Sequence, residues 1–195
     1  LRRSLVTLLW GICILNICSY HAMIKESSYM DIKDRRLVDS LIRCKKEVKS
    51  APKKAMSLDS RNDYTYRNDF TCTSIDGKLF EVFMRVNTKL PYLFSIGLVY
   101  HSENGNFTLC RYNGKHFHKN KIGDQTSFND FHIHKLYDAQ LSNNLENSMD
   151  AEITTAYVTF DEALQKFLND CNIYNWQHYF PNVVFNLNQL KMEGV

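Results

Sequence analysis

The sequence predicts an α+β fold in which an antiparallel sheet of about five to six strands is flanked by an N-terminal and a C-terminal helix. Aromatic residues account for 13% of the 195 residues, with only 7 Gly and 3 Pro, which is typical of a β-rich core. Apolar residues recur at helical spacing at both ends of this pattern and form strand-like stretches between them. A chain of this length is expected to form one compact domain.

The N-terminal helix is predicted over residues 31–49, where Asp31 or Asp34 caps the first turn and lysines suit the dipole of the last turn. Its apolar face would be formed by Leu37, Val38, Leu41, Ile42 and Val48. Residues 50–68 are polar and follow no period, so they are expected to form a loop.

Strands are predicted from Phe70 onward, because short apolar stretches alternate there with tight-turn signals. Asp76-Gly77 and Asn104-Gly105 are dipeptides that favour hairpin turns. The predicted strands are residues 70–75, 78–86, 92–101, 107–112, 131–136 and 152–160.

The C-terminal helix is predicted over residues 161–171, with Asp161 at its start. Its apolar face would be formed by Ala163, Leu164, Phe167 and Leu168. The helices and the sheet together define a single domain over residues 31–173. Residues 174–195 follow it as an apolar C-terminal extension.

Residues 1–22 begin with arginines followed by mostly apolar residues, which resembles the start of a signal peptide. The apolar run is shorter than the roughly 20 residues that cross a bilayer, so no stable membrane association is expected. Cleavage after Ala22 would place Tyr20 where a small residue is wanted. We therefore interpret this segment as upstream translation or a vestigial signal-like segment, with the true start at Met23 or Met30. A functional export signal is the alternative.

The cysteines occur without a CxxC pair, at positions 13, 18, 44, 72, 110 and 171. This scatter favours reduced thiols in a cytoplasmic protein over a disulfide framework or a zinc knuckle. The net charge of +3 permits a nucleic-acid partner but is too small to indicate one.

Chemistry is predicted to lie in residues 111–135, which contain two His-x-His pairs, His116 with His118 and His132 with His134. Side chains alternate between the two faces of a strand, so the members of each pair face the same way. If the two segments lie side by side, all four imidazoles converge on one side of the sheet.

Three interpretations of these histidines are open. In the first, two of them act as acid and base on a phosphodiester, because an imidazole with a pKa of about 6.5 suits both proton roles. The residues assigned to this chemistry are His118 with His132 or His134 for proton transfer, Arg111 to hold phosphate, Asn120 to position a group, and Lys115, Lys119 and Lys135 to bind substrate. In the second, zinc is the cofactor, held by His116, His118, His132 and His134. In the third, the histidines are structural or solvated.

A wider pattern runs through Arg111, Asn113, Gly114, His118, Asn120, His132, His134 and the stretch FLNDCNI at 167–173. It resembles DUF6978, a bacterial and phage family of unknown function. The resemblance spans roughly residues 31–173, although only residues 111–135 are motif-like. The chain departs from the family at residues 121–123, where Lys-Ile-Gly replaces the usual Pro-Asp-Gly.

The same region is similar to TumE-type toxins of toxin–antitoxin systems, through the strand Arg111-Tyr112-Asn113, His116 or His118, and the pair His132 and His134. This similarity implies a small cytoplasmic toxin-like protein from a phage or mobile element, with RNA and an antitoxin protein as partners. We therefore expect an RNA-cleaving enzyme that needs no cofactor. The alternative is a non-catalytic binding protein whose histidines are structural or hold zinc.

Overall fold

Strands dominate the computed structural model, which describes residues 35–103, 105–120, 126–136 and 151–181. Its described helices are α1 (Arg35–Arg43), α2 (Phe160–Asp170) and α3 (Trp176–Tyr179), and none of them is long and apolar enough to cross a membrane. Its described strands are β1 (Lys46–Ser50), β2 (Ser57–Asp59), β3 (Asn62–Ser74), β4 (Leu79–Asn87), β5 (Phe94–Ser102), β6 (Gly105–Lys119), β7 (Ser127–Lys135), β8 (Ala151–Ile153) and β9 (Ile173–Tyr174). The predicted signal-like segment 1–22, the turn residue Asn104 and the end of the predicted tail, from residue 182, lie outside the described residues.

The described strands form one curled sheet. Its order is β8-β7-β6-β5-β4-β3-β1-β9, and β2 pairs with β3 outside this path. The hairpins from β3 to β7 are antiparallel, whereas β1 and β9 pair in parallel. The predicted α+β class is therefore confirmed. The prediction of a purely antiparallel sheet of about five to six strands is wrong, because the described residues form nine strands in a mixed sheet.

The first helix is shorter than predicted, because the chain turns at Lys46 into strand β1. Lys46 is fully buried, and its ammonium group donates hydrogen bonds to the carbonyls of Ile42 (2.8 Å), Cys44 (2.9 Å) and Cys171 (3.0 Å). These carbonyls lie at or just beyond the ends of α1 and α2, where a helix leaves its last acceptors without an N–H partner. Strand β1 occupies the last four residues of the predicted helix, 46–49, so the predicted extent of the helix is wrong.

Two further boundaries differ from the prediction. Residues 50–68, expected to form a loop, supply β2 and the beginning of β3. The predicted strand 152–160 is confined to β8, and Thr159 then caps helix α2. The Thr159 hydroxyl accepts from the Glu162 N–H (3.3 Å) while the Glu162 carboxylate accepts from the Thr159 N–H (3.1 Å). This capping box makes Thr159, rather than Asp161, the N-cap of the helix, which begins at Phe160.

Helix α2 packs against one side of the sheet. Its apolar face, as predicted, consists of the buried residues Ala163, Leu164, Phe167 and Leu168. Phe167 meets Tyr112 of β6 edge to face, with 5.4 Å between ring centroids. The buried Tyr157 donates its hydroxyl toward the carbonyls of His132 (2.8 Å) and Asn113 (3.2 Å). The side of the sheet that carries Tyr112 therefore faces the apolar core.

A β-bulge in β6 changes which side chains share a face next to β7. Asn113 pairs with His132, and two residues earlier on β7, Asp130 pairs with His116. Strand β6 therefore spans three residues where β7 spans two, and Gly114 lies inside the bulge. The extra residue reverses the alternation of side chains, so His116 lies on the same face as Asn113 instead of the opposite one.

Gly114 is required at this bulge because the preceding hairpin passes very close to it. A Cβ atom on Gly114 would fall 1.9 Å from the carbonyl oxygen of Tyr92 and 2.8 Å from the backbone nitrogen of Phe94. Backbone atoms in a paired strand have little room to move. The bulge therefore depends on a residue without a side chain.

We expect Gly114→Ala to lower the free energy of unfolding by about 2 kcal/mol or more, because the added methyl group forces the backbones of two neighbouring strands apart. Urea denaturation followed by circular dichroism measures this loss. Gly97→Ala is the matched comparison, since its Cβ would meet ring atoms of Phe83 at 2.3 Å and a side chain can rotate away. A loss in the Gly114 variant no larger than that of the Gly97 variant would contradict the prediction.

Candidate functional site

Two rows of side chains cross the sheet on the face opposite Tyr112. Residues that are directly paired across antiparallel strands share a face. One row consists of Arg85, Ser95, Asn113 and His132. The next row consists of Phe83, Gly97, Arg111 and His134. The bulge adds His116 and His118 to this face, which we call the polar face.

The imidazoles of the four histidines lie together on the polar face and form what we call the histidine cluster. The distances between ring centroids are 5.2 Å for His118–His132, 4.7 Å for His118–His134 and 4.9 Å for His132–His134. His116 joins the cluster at 4.6 Å from His132. One ring nitrogen from each of His118, His132 and His134 lies within 4.8 Å of the others. A single ion is therefore within reach of three rings.

Hydrogen bonds fix the ring of His132 on both sides. Its Nδ1 lies 2.6 Å from the carbonyl oxygen of Asp130, and its Nε2 lies 3.1 Å from the amide nitrogen of Asn113. A carbonyl only accepts, so Nδ1 carries the proton and donates it, whereas Nε2 accepts from the Asn113 amide. The unprotonated nitrogen of His132 is therefore Nε2.

Asn120 orients His118 and ties the end of β6 to β8. Its Oδ1 accepts hydrogen bonds from His118 Nε2 (3.0 Å) and from the Ala151 N–H (2.8 Å). Its amide nitrogen donates to the Ala151 carbonyl (3.1 Å) and to the Thr126 hydroxyl (3.2 Å). Because the oxygen of Asn120 is fixed as an acceptor, a neutral His118 donates through Nε2 and carries its lone pair on Nδ1. Asn120 is thus a positioning residue for His118.

Burial favours neutral imidazoles in this cluster. His132 and His134 are 0% exposed, whereas His116 and His118 are half-buried. Burial lowers the pKa of His132 to about 4; its backbone hydrogen bond opposes this shift, and the nearby positive charges of His116, His118 and Arg111 add to it. Burial likewise lowers the pKa of His116. A neutral imidazole is the form that binds metals, and a group with so low a pKa is a poor proton donor near pH 7.

The cationic residues expected to contact phosphate are divided between the two faces of the sheet. Arg111 lies on the polar face, paired with His134, and burial lowers its pKa without removing its charge. Lys115, in the bulge, is exposed. Lys119 and Lys135 each follow a histidine of the cluster along a strand, so they lie on the opposite face. The structure therefore brings Arg111 to the cluster but not Lys119 or Lys135.

Sequence reasoning missed two polar residues that lie beside the histidines. Asn113 belongs to the quoted pattern, but its hydrogen bond to His132 depends on the register between β6 and β7. Ser95 enters the same row only through the register between β5 and β6. The alternation of side chains along each strand was visible in the sequence. The register between strands is set by turns and bulges, and Gly114 is the one residue of β6 whose type indicates a bulge.

We expect the stability of the metal-free protein to fall as the pH is lowered from about 6.5 to about 4. The folded-state pKa of His132, about 4, lies below the ordinary value of about 6.5 that applies to the unfolded chain. In this interval the unfolded chain binds a proton that the folded one does not, so the stability present above pH 6.5 is progressively lost. The contribution of this residue is at most roughly 3 kcal/mol.

Urea denaturation at several pH values, in the presence of a chelator, measures this dependence. His132→Gln is expected to flatten the curve over the interval, whereas His178→Gln, in the exposed part of α3, leaves it as in the wild type. The same pH dependence in the His132 variant as in the wild type would show that another group is responsible.

The chain matches no protein-family model, no curated protein and no solved structure. Its function is therefore inferred from the arrangement of its own side chains.

Proposed function

We propose that the protein binds a divalent transition metal, zinc in the first place, through His118, His132 and His134. The observation that carries this proposal is the approach of one ring nitrogen from each of them to within 4.8 Å of the others. Imidazole is a favoured ligand of zinc, and three histidines leave a fourth position for water or another ligand. Zinc in such a site lowers the pKa of bound water to about 7.

The hydrogen bonds around the cluster support the proposal. A metal-binding histidine usually donates its second ring N–H to a carbonyl or carboxylate, which fixes the ring and the tautomer. His132 does so to the Asp130 carbonyl, and His118 does so to the Asn120 amide oxygen. The tautomers of both rings are therefore fixed. In His132 the Nε2 lone pair accepts a hydrogen bond from Asn113, which a bound metal would replace.

The dimensions of the cluster are also compatible with zinc. Zinc–nitrogen distances of about 2.0–2.1 Å place the nitrogens of a tetrahedral site roughly 3.3 Å apart. Nitrogens within 4.8 Å of one another reach this spacing when each ring moves inward by about 1 Å. His116, whose ring lies 4.6 Å from that of His132, is the nearest further imidazole and a candidate fourth ligand.

We expect the wild-type protein to retain one equivalent of zinc after dialysis and His118→Ala and His134→Ala to lose it, because each removes a ligand. Asn120→Ala should weaken zinc binding about 10- to 100-fold, the range for residues that orient a ligand. Elemental analysis gives the stoichiometry, and competition with a chelator gives the affinity.

Two control variants match these changes. His178→Ala removes an exposed histidine of α3, and Asn106→Ala removes an asparagine that also hydrogen-bonds a histidine, His101 at 2.7 Å, away from the cluster. Both should bind zinc as the wild type does. Stoichiometric zinc that survives His118→Ala and His134→Ala, or its absence from the wild type, would refute the metal site.

RNA cleavage is the second proposal, and Arg111 is the observation that favours it. Its Nε is buried and has no hydrogen-bond partner among the described residues, and the residue is paired with His134 on the polar face. The half-buried His118 would be the base, Arg111 would hold the phosphate, and an antitoxin protein would be the partner. The full burial of His132 and His134 makes contact with a polymer harder than contact with an ion, which is why the metal site is preferred.

If the protein is an RNA-cleaving toxin, expression in a bacterial host arrests growth and His118→Ala and Arg111→Gln relieve the arrest, because they remove the base and the phosphate ligand. The purified protein should then degrade RNA in the presence of a chelator. His178→Ala is the control and should stay toxic. Normal growth with the wild type, or equal toxicity of all variants, would refute this proposal.

A further inference from the structure

A groove of about 290 Å³ lies beside the histidine cluster, and it is lined by Arg85, Ser95 and His116 among others. Arg85 and Ser95 are paired across β4 and β5, in the same row as Asn113 and His132. Arg85, Ser95 and His116 thus give the groove a side on the polar face, while Val86, Leu93 and Phe94 supply apolar walls. Its volume is near the lower end of the range typical of sites for small molecules.

Two residues that line the groove each carry a buried donor atom without a hydrogen-bond acceptor. Arg85 Nη1 and Ser95 Oγ are both inaccessible to solvent, and neither has a hydrogen-bond partner among the described residues. A buried donor without a partner is destabilising, and more so when it is charged. Native structures keep such groups rarely, so a pair of them in one groove suggests a ligand with oxygen acceptors.

Neighbouring side chains hold the Arg85 guanidinium in place, and the group of charged residues around it keeps a net positive charge. Its Nη1 forms an ion pair with Asp69 Oδ1 at 3.9 Å, too far for a hydrogen bond. That oxygen is also buried without a hydrogen-bond partner among the described residues, while Arg67 donates to the other carboxylate oxygen of Asp69. These three side chains carry a net charge of +1. The Arg85 guanidinium also stacks over the Phe83 ring, with 4.8 Å from Cζ to the ring centroid.

Phe83 is itself held close to the sheet by the absence of a side chain at Gly97. A Cβ atom there would fall 2.3 Å from Phe83 Cζ, so the ring occupies the space above the glycine. Arg85 therefore rests on the Phe83 ring, which helps to orient its guanidinium for planar recognition of carboxylate or phosphate.

We propose that this groove binds the oxyanion group of a small molecule, with Arg85 Nη1 and Ser95 Oγ as its donors. Since His116 lines the groove and packs 4.6 Å from His132, a molecule anchored there extends toward the metal ligands. The inference deepens the proposed function by naming the chemical class of the ligand, and it rests on that function for the presence of the metal. Phosphate and carboxylate share the required chemistry.

Titration calorimetry with inorganic phosphate and, separately, with acetate tests this proposal on the full chain, with and without zinc. We expect at least one of the two anions to bind the wild type, and to bind the zinc-loaded protein more tightly than the metal-free one. Arg85→Gln should weaken this binding about tenfold or more, since it removes a charged donor, and Ser95→Ala about threefold to tenfold. Preference for one anion identifies the group as phosphate or carboxylate.

Arg61→Gln is the matched control, because Arg61 is an exposed arginine in the turn between β2 and β3 that pairs with Asp59. This variant should bind anions as the wild type does. Zinc stoichiometry should be unchanged in the Arg85 and Ser95 variants, since neither residue is a proposed ligand. If Arg85→Gln does not fold, Ser95→Ala alone decides. The proposal that the groove binds an anion is overturned if the wild type binds neither anion, or if the Ser95 variant binds the anion with the same affinity as the wild type. If the wild type binds phosphate but no zinc, the metal site is refuted and the anion-binding groove is supported.

Discussion

The position of the candidate site depends on one irregularity, the β-bulge at Gly114 in β6. Strict alternation from Arg111 would place His116 and His118 on the apolar side of the sheet, with Tyr112. The bulge shifts β6 by one residue relative to β7 and turns both imidazoles toward His132 and His134. The same backbone irregularity that interrupts regular pairing thus assembles the cluster, in keeping with the frequent occurrence of bulges next to functional sites.

Main-chain carbonyls and neutral amides supply the hydrogen bonds to His132 and His118 that the described residues show. Asp130 contributes its backbone oxygen to His132, and Asn113 and Asn120 contribute side-chain amides. A carboxylate partner would raise the pKa of an imidazole, whereas burial lowers the pKa of His132 and of His116. The surroundings of these two rings therefore favour a lone pair over a proton, which is the condition for a metal ligand and the opposite of the condition for a general acid.

The sequence predicted the features that depend on residues close together along the chain, and it missed those that depend on distant partners. The shared face of His132 and His134, the turn at Asp76-Gly77 and the apolar face of α2 follow from alternation and periodicity, and each is present. The shortened first helix was not predictable, because the buried ammonium of Lys46 finds an acceptor 125 residues away at Cys171. The parallel pairing of β1 with β9 and the register that brings Ser95 to the polar face likewise depend on distant partners, which one sequence does not reveal.

The role of Lys46 has a consequence for how the chain folds during synthesis. Strand β1 is made early, but its parallel partner β9 and the third acceptor of Lys46 come from residues 171–174. A ribosome adds about 5–20 residues each second. For several seconds after β1 is made, Lys46 therefore lacks one of its three hydrogen-bond acceptors. The edge of the sheet at β1 thus closes last. Until then one edge of β1 keeps unpaired backbone groups, and the Lys46 ammonium lacks its acceptor at Cys171.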